Sequence, residues 1–303
     1  MTTLRIATRG SRLALWQAET VKAALQAAQP GVTVELVLVT SQGDADRTRP
    51  LHEMGGVGVF TKEVQDAVLD GRADLAVHSL KDLPTVPHPE LELAAVPERG
   101  PTADALLSPQ YMTLAALPQG AAVATGSLRR RAQLLRRRPD LRIEEVRGNV
   151  DTRVKKLLKG RLDAMVLARA GLERLGLLEH ATEFFAPETM LPAVGQGALG
   201  IECRRSDERT RSTLQSLEHE ATRIAVTAER AFLAELQGGC QMPIGALALL
   251  NAGRVTLEGN FVTPDGATEI RGRREGAAKD AASIGLDLAA EFLSRGVREL
   301  MPK

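Results

Sequence analysis

Aromatic side chains are scarce, making up only 3% of the 303 residues: six phenylalanines, one tryptophan and one tyrosine. A nucleic-acid binder built on stacking rings and a basic surface is therefore not expected, and the net charge of +1 points the same way. Cysteine is nearly absent. Cys203 and Cys240 stand in settings too different to suggest a disulfide framework, and no Cys/His cluster has the spacing of metal ligands. No apolar run reaches the ~20 residues that a membrane-spanning helix needs. Met1-Thr2-Thr3-Leu4-Arg5-Ile6-Ala7 enters a strand pattern without the apolar core of a signal peptide, so the reducing cytoplasm is the expected compartment. Internal repeats and low-complexity tracts are missing too. Lysine is the rarer cation, eight of 39 basic residues, so the positions of the arginines, whose planar fork suits carboxylates and phosphates, carry more information than their number.

What is present is a 44% hydrophobic chain long enough for two or three domains. Strand-like runs at 4–7, 33–39 and 73–78 alternate with helix patterns at 13–28 and 61–69. This alternation predicts an α/β fold with mostly parallel sheets. The breaker cluster Pro97-Glu98-Arg99-Gly100-Pro101 predicts a boundary, after which the pattern restarts with strands at 121–125, 143–146 and 164–168 and helices at 127–138 and 150–159. Leu191 to Gly197 reads as a hinge, and the strand at 198–203 is expected to return to the first unit, giving two lobes joined by two crossings. The expected domains are 1–97 with 198–217, then 102–191, then a small α+β domain over 218–303 with a helix from 218, strands at 246–250, 254–261 and 268–274, and a helix at 277–294.

Three constellations could carry chemistry. His78-Ser79-Leu80-Lys81-Asp82-Leu83-Pro84 follows a buried strand, where open α/β sheets collect ligands, though a Lys-Asp pair capping a surface turn would look the same. Gly126-Ser127-Leu128-Arg129-Arg130 places Ser127 as an N-cap and two arginines in the first helical turn, a setting for anions, and Arg147-Gly148-Asn149-Val150 with Arg153 repeats that strand-to-helix corner. Arg136 to Arg138, late in the helix, read as a solvated basic face. Arg9-Gly10-Ser11, with Gln17 a turn later, either binds a ligand or only caps a helix. Gly55-Gly56-Val57-Gly58 reads as the hinge of a mobile loop over about 43–58. Gly238-Gly239-Cys240-Gln241-Met242-Pro243 puts a thiol on a shaped loop, where it can react or lie idle, whereas Cys203 reads as a packed strand residue.

Taken together, the 78–84, 126–130, 147–150, 191–197 and 238–245 segments, in this order, resemble the porphobilinogen deaminase family over essentially the whole chain. The resemblance implies two periplasmic-binding-protein-like lobes and a third domain that carries the cofactor. It implies polymerisation of the pyrrole porphobilinogen into linear hydroxymethylbilane with release of ammonia, on a dipyrromethane held by a thioether to Cys240. Asp82 is then the catalytic residue and also touches the cofactor, with Lys81, Ser127, Arg129, Arg130 and Arg147 binding the cofactor and Arg9, Ser11, Gln17, Arg147 and Arg153 the substrate. No metal, nucleic acid or membrane is implied, and the expected state is a monomer. Many relatives carry basic residues where this chain has Gln42, Glu53 and Val57. The competing expectation is a non-catalytic two-lobed anion-binding protein, which leaves Asp82 and the Cys240 loop without a purpose.

Overall fold

In the computed structural model, which describes residues 2–40, 58, 61–237 and 242–301, the apolar runs become strands. Strand β1 (Thr2–Arg9) pairs in parallel with β2 (Val32–Val39) and β3 (Leu75–Ser79). On one face Leu4, Ile6, Leu75 and Val77 are buried with Ala18, Val21 and Leu25 of helix α1 (Arg12–Ala28), the helical spacing that covers a sheet. On the other face Ala7 and Ala76 pack with Val64, Ala67 and Val68 of α2 (Lys62–Leu69). Strand β4 (Leu91–Ala95) completes this sheet with the later strand β10 (Leu199–Arg204), which enters antiparallel between β3 and β4.

A second five-stranded sheet is built from β5 (Asp104–Leu107), β6 (Ala122–Ala124), β7 (Arg142–Glu144), β8 (Ala164–Ala168) and β9 (Ala181–Phe184). Its order, β7-β6-β8-β5-β9, matches β2-β1-β3-β10-β4 strand for strand, with parallel partners first and one reversed strand next to the last. Helices α3 (Leu128–Arg137) and α4 (Val150–Lys156) follow β6 and β7. The α/β class with parallel-rich sheets is what the alternating pattern predicts. A three-stranded antiparallel sheet, β11 (Ile244–Asn251), β12 (Arg254–Val262) and β13 (Glu269–Ala277), is covered by the C-terminal helix Ala281–Ser294.

The chain forms two compact units, Met1–Gly100 with Gly197–Arg223 and Pro101–Gln196 with Ile224–Lys303. Two of the crossings fall in the Pro97 to Pro101 breaker cluster and the 191–197 segment, and the third lies inside the helix Glu220–Glu235. Segments 102–191 and 218–303, expected as separate domains, thus largely share one unit. Polar bonds join them: Asn260 Nδ2 donates to Gln133 (3.2 Å) and Arg271 Nη2 to the Pro187 carbonyl (3.0 Å). Breaking such bonds leaves unsatisfied groups, which is why these parts stay together. Among the described residues no helix is long and apolar enough to cross a membrane, and no group of three or more His, Cys, Asp or Glu could hold a metal.

Candidate active site

Parallel pairing of β1 with β3 brings Arg9 and Ser79 to the same edge of the sheet, the carboxyl ends of the strands, where α/β proteins collect ligands. A pocket of about 70 Å³ opens there, lined by Arg9, Ser11, Gln17, His78, Ser79 and Asp82 together with apolar residues and Thr61. Each wall has a local cause. Ser11 caps α1 through its hydroxyl, which accepts from Ala14 N–H at 3.3 Å, so the chain turns into the helix directly after Arg9. Gln17, one turn later and buried, donates to Ser79 Oγ at 2.7 Å and ties helix to strand.

Asp82 ends a 3-10 turn, Leu80–Asp82, that continues β3. The turn is held by Leu80 N–H donating to the Ala198 carbonyl (3.0 Å) and by burial of Leu80. Gly200 makes that burial possible: a Cβ there would lie 2.9 Å from Leu80 Cδ1 and 3.1 Å from Leu93 Cδ1. Asp82 itself is half-buried and lines the pocket, and Lys81 stands on the same turn outside the lining. Behind the pocket His78 Nε2 lies 3.0 Å from the carboxylate of Glu202, a buried pair that spacing does not reveal.

In the other unit Ser127 caps α3, its hydroxyl accepting from Arg130 N–H, but the two arginines turn inward. Arg129 and Arg130 are 4% and 6% exposed, and each forms an ion pair of 2.7 Å with the fully buried Asp104. Arg129 Nη1 also donates to the Leu191 carbonyl (2.7 Å), Arg130 Nη1 to that of Val166 (3.1 Å), and Gln196 Nε2 to Asp104 (2.9 Å). Burial alone would raise the Asp104 pKa, and the charges of Arg129 and Arg130 overcome it and hold the carboxyl well below the usual range. Burial, with repulsion from Arg130, lowers that of Arg129. The helix-start reading therefore locates the arginines and misses their counterion, because Asp104 lies on a four-residue strand with no periodicity to flag it.

Arg147 and Arg153 are half-buried around Gly148, whose φ of 110° is one that side chains rarely tolerate. Arg153 Nε donates to the Gly148 carbonyl (2.7 Å) and Lys156 Nζ to that of Arg147 (2.9 Å), fixing this corner. Arg138, expected on a solvated face, instead bonds Asp140 (2.8 Å) and the Leu114 carbonyl (2.9 Å), because the chain reverses at Pro139-Asp140 and presents acceptors to it. Cys203 is fully buried, and its thiol is pushed up to about 12 by burial first and by Glu92 and Asp207 next. Cys240, Gly238, Gly239 and Gln241 lie outside the described residues, as do Gln42, Glu53, Val57 and the 43–58 loop apart from Gly58.

Fold and site together define an α/β protein with a polar pocket at the carboxyl ends of its parallel strands and a carboxylate, Asp82, at its wall. Residues 4–212 match the family model for the dipyromethane cofactor binding domain of porphobilinogen deaminase, and residues 223–294 match that for its C-terminal domain. The chain belongs to the porphobilinogen deaminase family. It is a transferase that joins four porphobilinogen molecules head to tail into hydroxymethylbilane with release of ammonia, using a dipyrromethane cofactor. Similar solved structures include the methionine-binding protein MetQ (14% identity over 71% of this chain and 89% of that one, TM-score 0.47). The periplasmic aliphatic sulphonate binding protein SsuA from Escherichia coli is another (17%, 78% and 71%, TM-score 0.40).

Proposed function

We propose that condensation takes place in the β1/β3 pocket and that the dipyrromethane is tied by a thioether to Cys240. The observation that carries the first part is the convergence of Arg9, Ser11, Gln17 and Asp82, from two distant sequence segments, on one pocket. The residues of the other unit suit the cofactor. Among the described residues the ion pairs of Arg129 and Arg130 lead to Asp104 alone, leaving one excess positive charge, and Arg129 Nε is buried without an acceptor. A carboxylate satisfies both.

When bound, the cofactor supplies the pyrrole carbon to which the next ring is joined. Asp82 meets the need of the reaction for a negative charge: positive charge develops on a ring nitrogen as ammonia leaves and again as the carbon–carbon bond forms. A carboxylate accepting from the pyrrole N–H stabilises that charge, and it assists departure of the proton on the ring carbon that has formed the new bond, which restores the aromatic ring. Arg9, Ser11 and Gln17 orient substrate carboxylates. Arg147 and Arg153 hold those of the incoming and growing rings, and Lys81, Ser127, Arg129, Arg130 and Arg147 hold those of the cofactor. At Cys240 the sulfur bonds to the aminomethyl carbon of a pyrrole as the carbon–nitrogen bond breaks, and the thiol proton leaves with ammonia.

Denatured intact mass tests the anchor. The purified chain should carry an adduct of dipyrromethane size that Cys240→Ala lacks, along with nearly all activity. An equal adduct and equal turnover in Cys240→Ala would overturn the assignment. The protein is read as a cytoplasmic monomer acting on small molecules without nucleic acid, a reading supported by its balanced charge and checked by sedimentation at working concentration.

A further inference from the structure

The face of the first sheet beneath α2 carries the small residues Ala7 and Ala76, packed with Val64, Ala67 and Val68 of that helix. In the antiparallel register Gly200 opposes His78 and Glu202 opposes Ala76, so His78 and Glu202 are diagonal neighbours on that face. Their side chains are 4% and 2% exposed, and Nε2 and Oε2 stand 3.0 Å apart as an ion-pair contact without hydrogen-bond geometry. The same Oε2 accepts from Gln65 Nε2 of α2 at 2.9 Å. A carboxylate this deep is costly unless its partners compensate it. His78 lines the pocket beside Ser79 and Asp82, and Gln65, itself outside the lining, belongs to the same helix as Val64, which lines the pocket with Thr61 at the helix start.

We infer that Glu202 is a positioning residue for the condensation. Through one oxygen it holds the imidazole of β3 and the start of α2 at a fixed separation, and so sets the wall from which Asp82 reaches the substrate. It has no place among the carboxylate-binding groups Arg9, Ser11 and Gln17, so its loss falls on turnover rather than on substrate binding. The inference rests on the pocket being the reaction site.

The test uses cofactor-loaded protein, verified by intact mass, carrying Glu202→Gln, His78→Gln or both. Each single change should lower kcat by about tenfold to hundredfold, the scale of a misplaced catalytic group, with KM for porphobilinogen within about threefold. The double variant should lose no more than the worse single one, because both break one linkage. His78→Asn, whose amide is too short to reach Glu202, should lose more than His78→Gln. Unchanged kcat, a loss carried by KM, or additive losses in the double variant would each overturn the inference. If Glu202→Gln does not fold, Gln65→Met, which cuts the other arm while keeping the His78 pair, should lower kcat by about threefold at unchanged KM, and no change there counts against the strut. Asp82→Asn measured alongside separates the two readings: near-normal turnover in it overturns the pocket assignment, whereas its loss with none in Glu202→Gln overturns the strut alone.

Discussion

The pocket at the end of β1 and β3 and the corner at the start of α3 are built alike, each a capped helix leaving a parallel strand in sheets of the same strand order, yet they place charge in opposite ways. At the first, the polar side chains face a pocket and Asp82 stands half-buried beside it. At the second, Arg129 and Arg130 are drawn inside by Asp104. The difference comes from one acid on a neighbouring strand. A guanidinium held by a buried carboxylate has lost its freedom, which under the proposed function prepares the corner for an anion, whereas Asp82 at the pocket has no such partner among the ion pairs of the described residues.

The largest expected effect lies at the arginine corner. Asp104→Asn leaves two buried guanidinium groups without their counterion and should destabilise the protein by about 3–5 kcal/mol in denaturant titration. A loss under about 1 kcal/mol would show that the cluster is not structural. The pH dependence follows from the depressed Asp104 pKa: its contribution is complete above the ordinary carboxylate value of about 4 and is lost as pH falls below that toward the folded value. Wild-type Tm should therefore drop more steeply below about pH 4 than that of Asp104→Asn.

Asp82→Asn should do the reverse, keeping stability and part of the cofactor while lowering single-turnover ammonia release by about a hundredfold or more. Asp82→Glu, which keeps the charge, should retain more. If Asp82→Asn instead unfolded the protein while turning over normally when folded, the contrast between the two regions would collapse.

Arg147→Leu should impair elongation with little change in stability, while Arg129→Leu should impair both, since Arg129 is paired with the buried Asp104. Lysine at either site should restore part of the loss, because a point charge cannot reproduce a bidentate fork. Equal effects of Arg129→Leu and Arg147→Leu on Tm would erase the distinction. The smallest effect belongs to Cys203→Ala, expected to leave activity intact and to cost about 1 kcal/mol. With its thiol pushed up to about 12, Cys203 should also resist alkylation at pH 8 in the native protein, as followed by mass.

Much of the fold was legible because it rests on local periodicity. The long strands and helices of the first unit, such as β1 and α1, appear where alternation and helical spacing predict them, since burying one face of a sheet imposes that pattern on the chain. Strands β4, β5 and β9 and the helices Arg169–Arg174 and Glu208–Leu214 were not legible. Strand β4 pairs with β10, and β5 and β9 pair with each other, partners far apart along the chain that no local pattern announces.

By itself the sequence determined the α/β class and the family, because motif order and periodicity are properties of the chain read in one dimension. Only the tertiary structure decided which charges meet. Asp104 lies beside Arg129 and Arg130 because β5 returns next to β8, and Glu202 lies beside His78 because β10 enters next to β3. Both pairings join residues far apart along the chain, so the ion pairs they create, and the Asp104 pKa they shift, depend on strand register that no local pattern records.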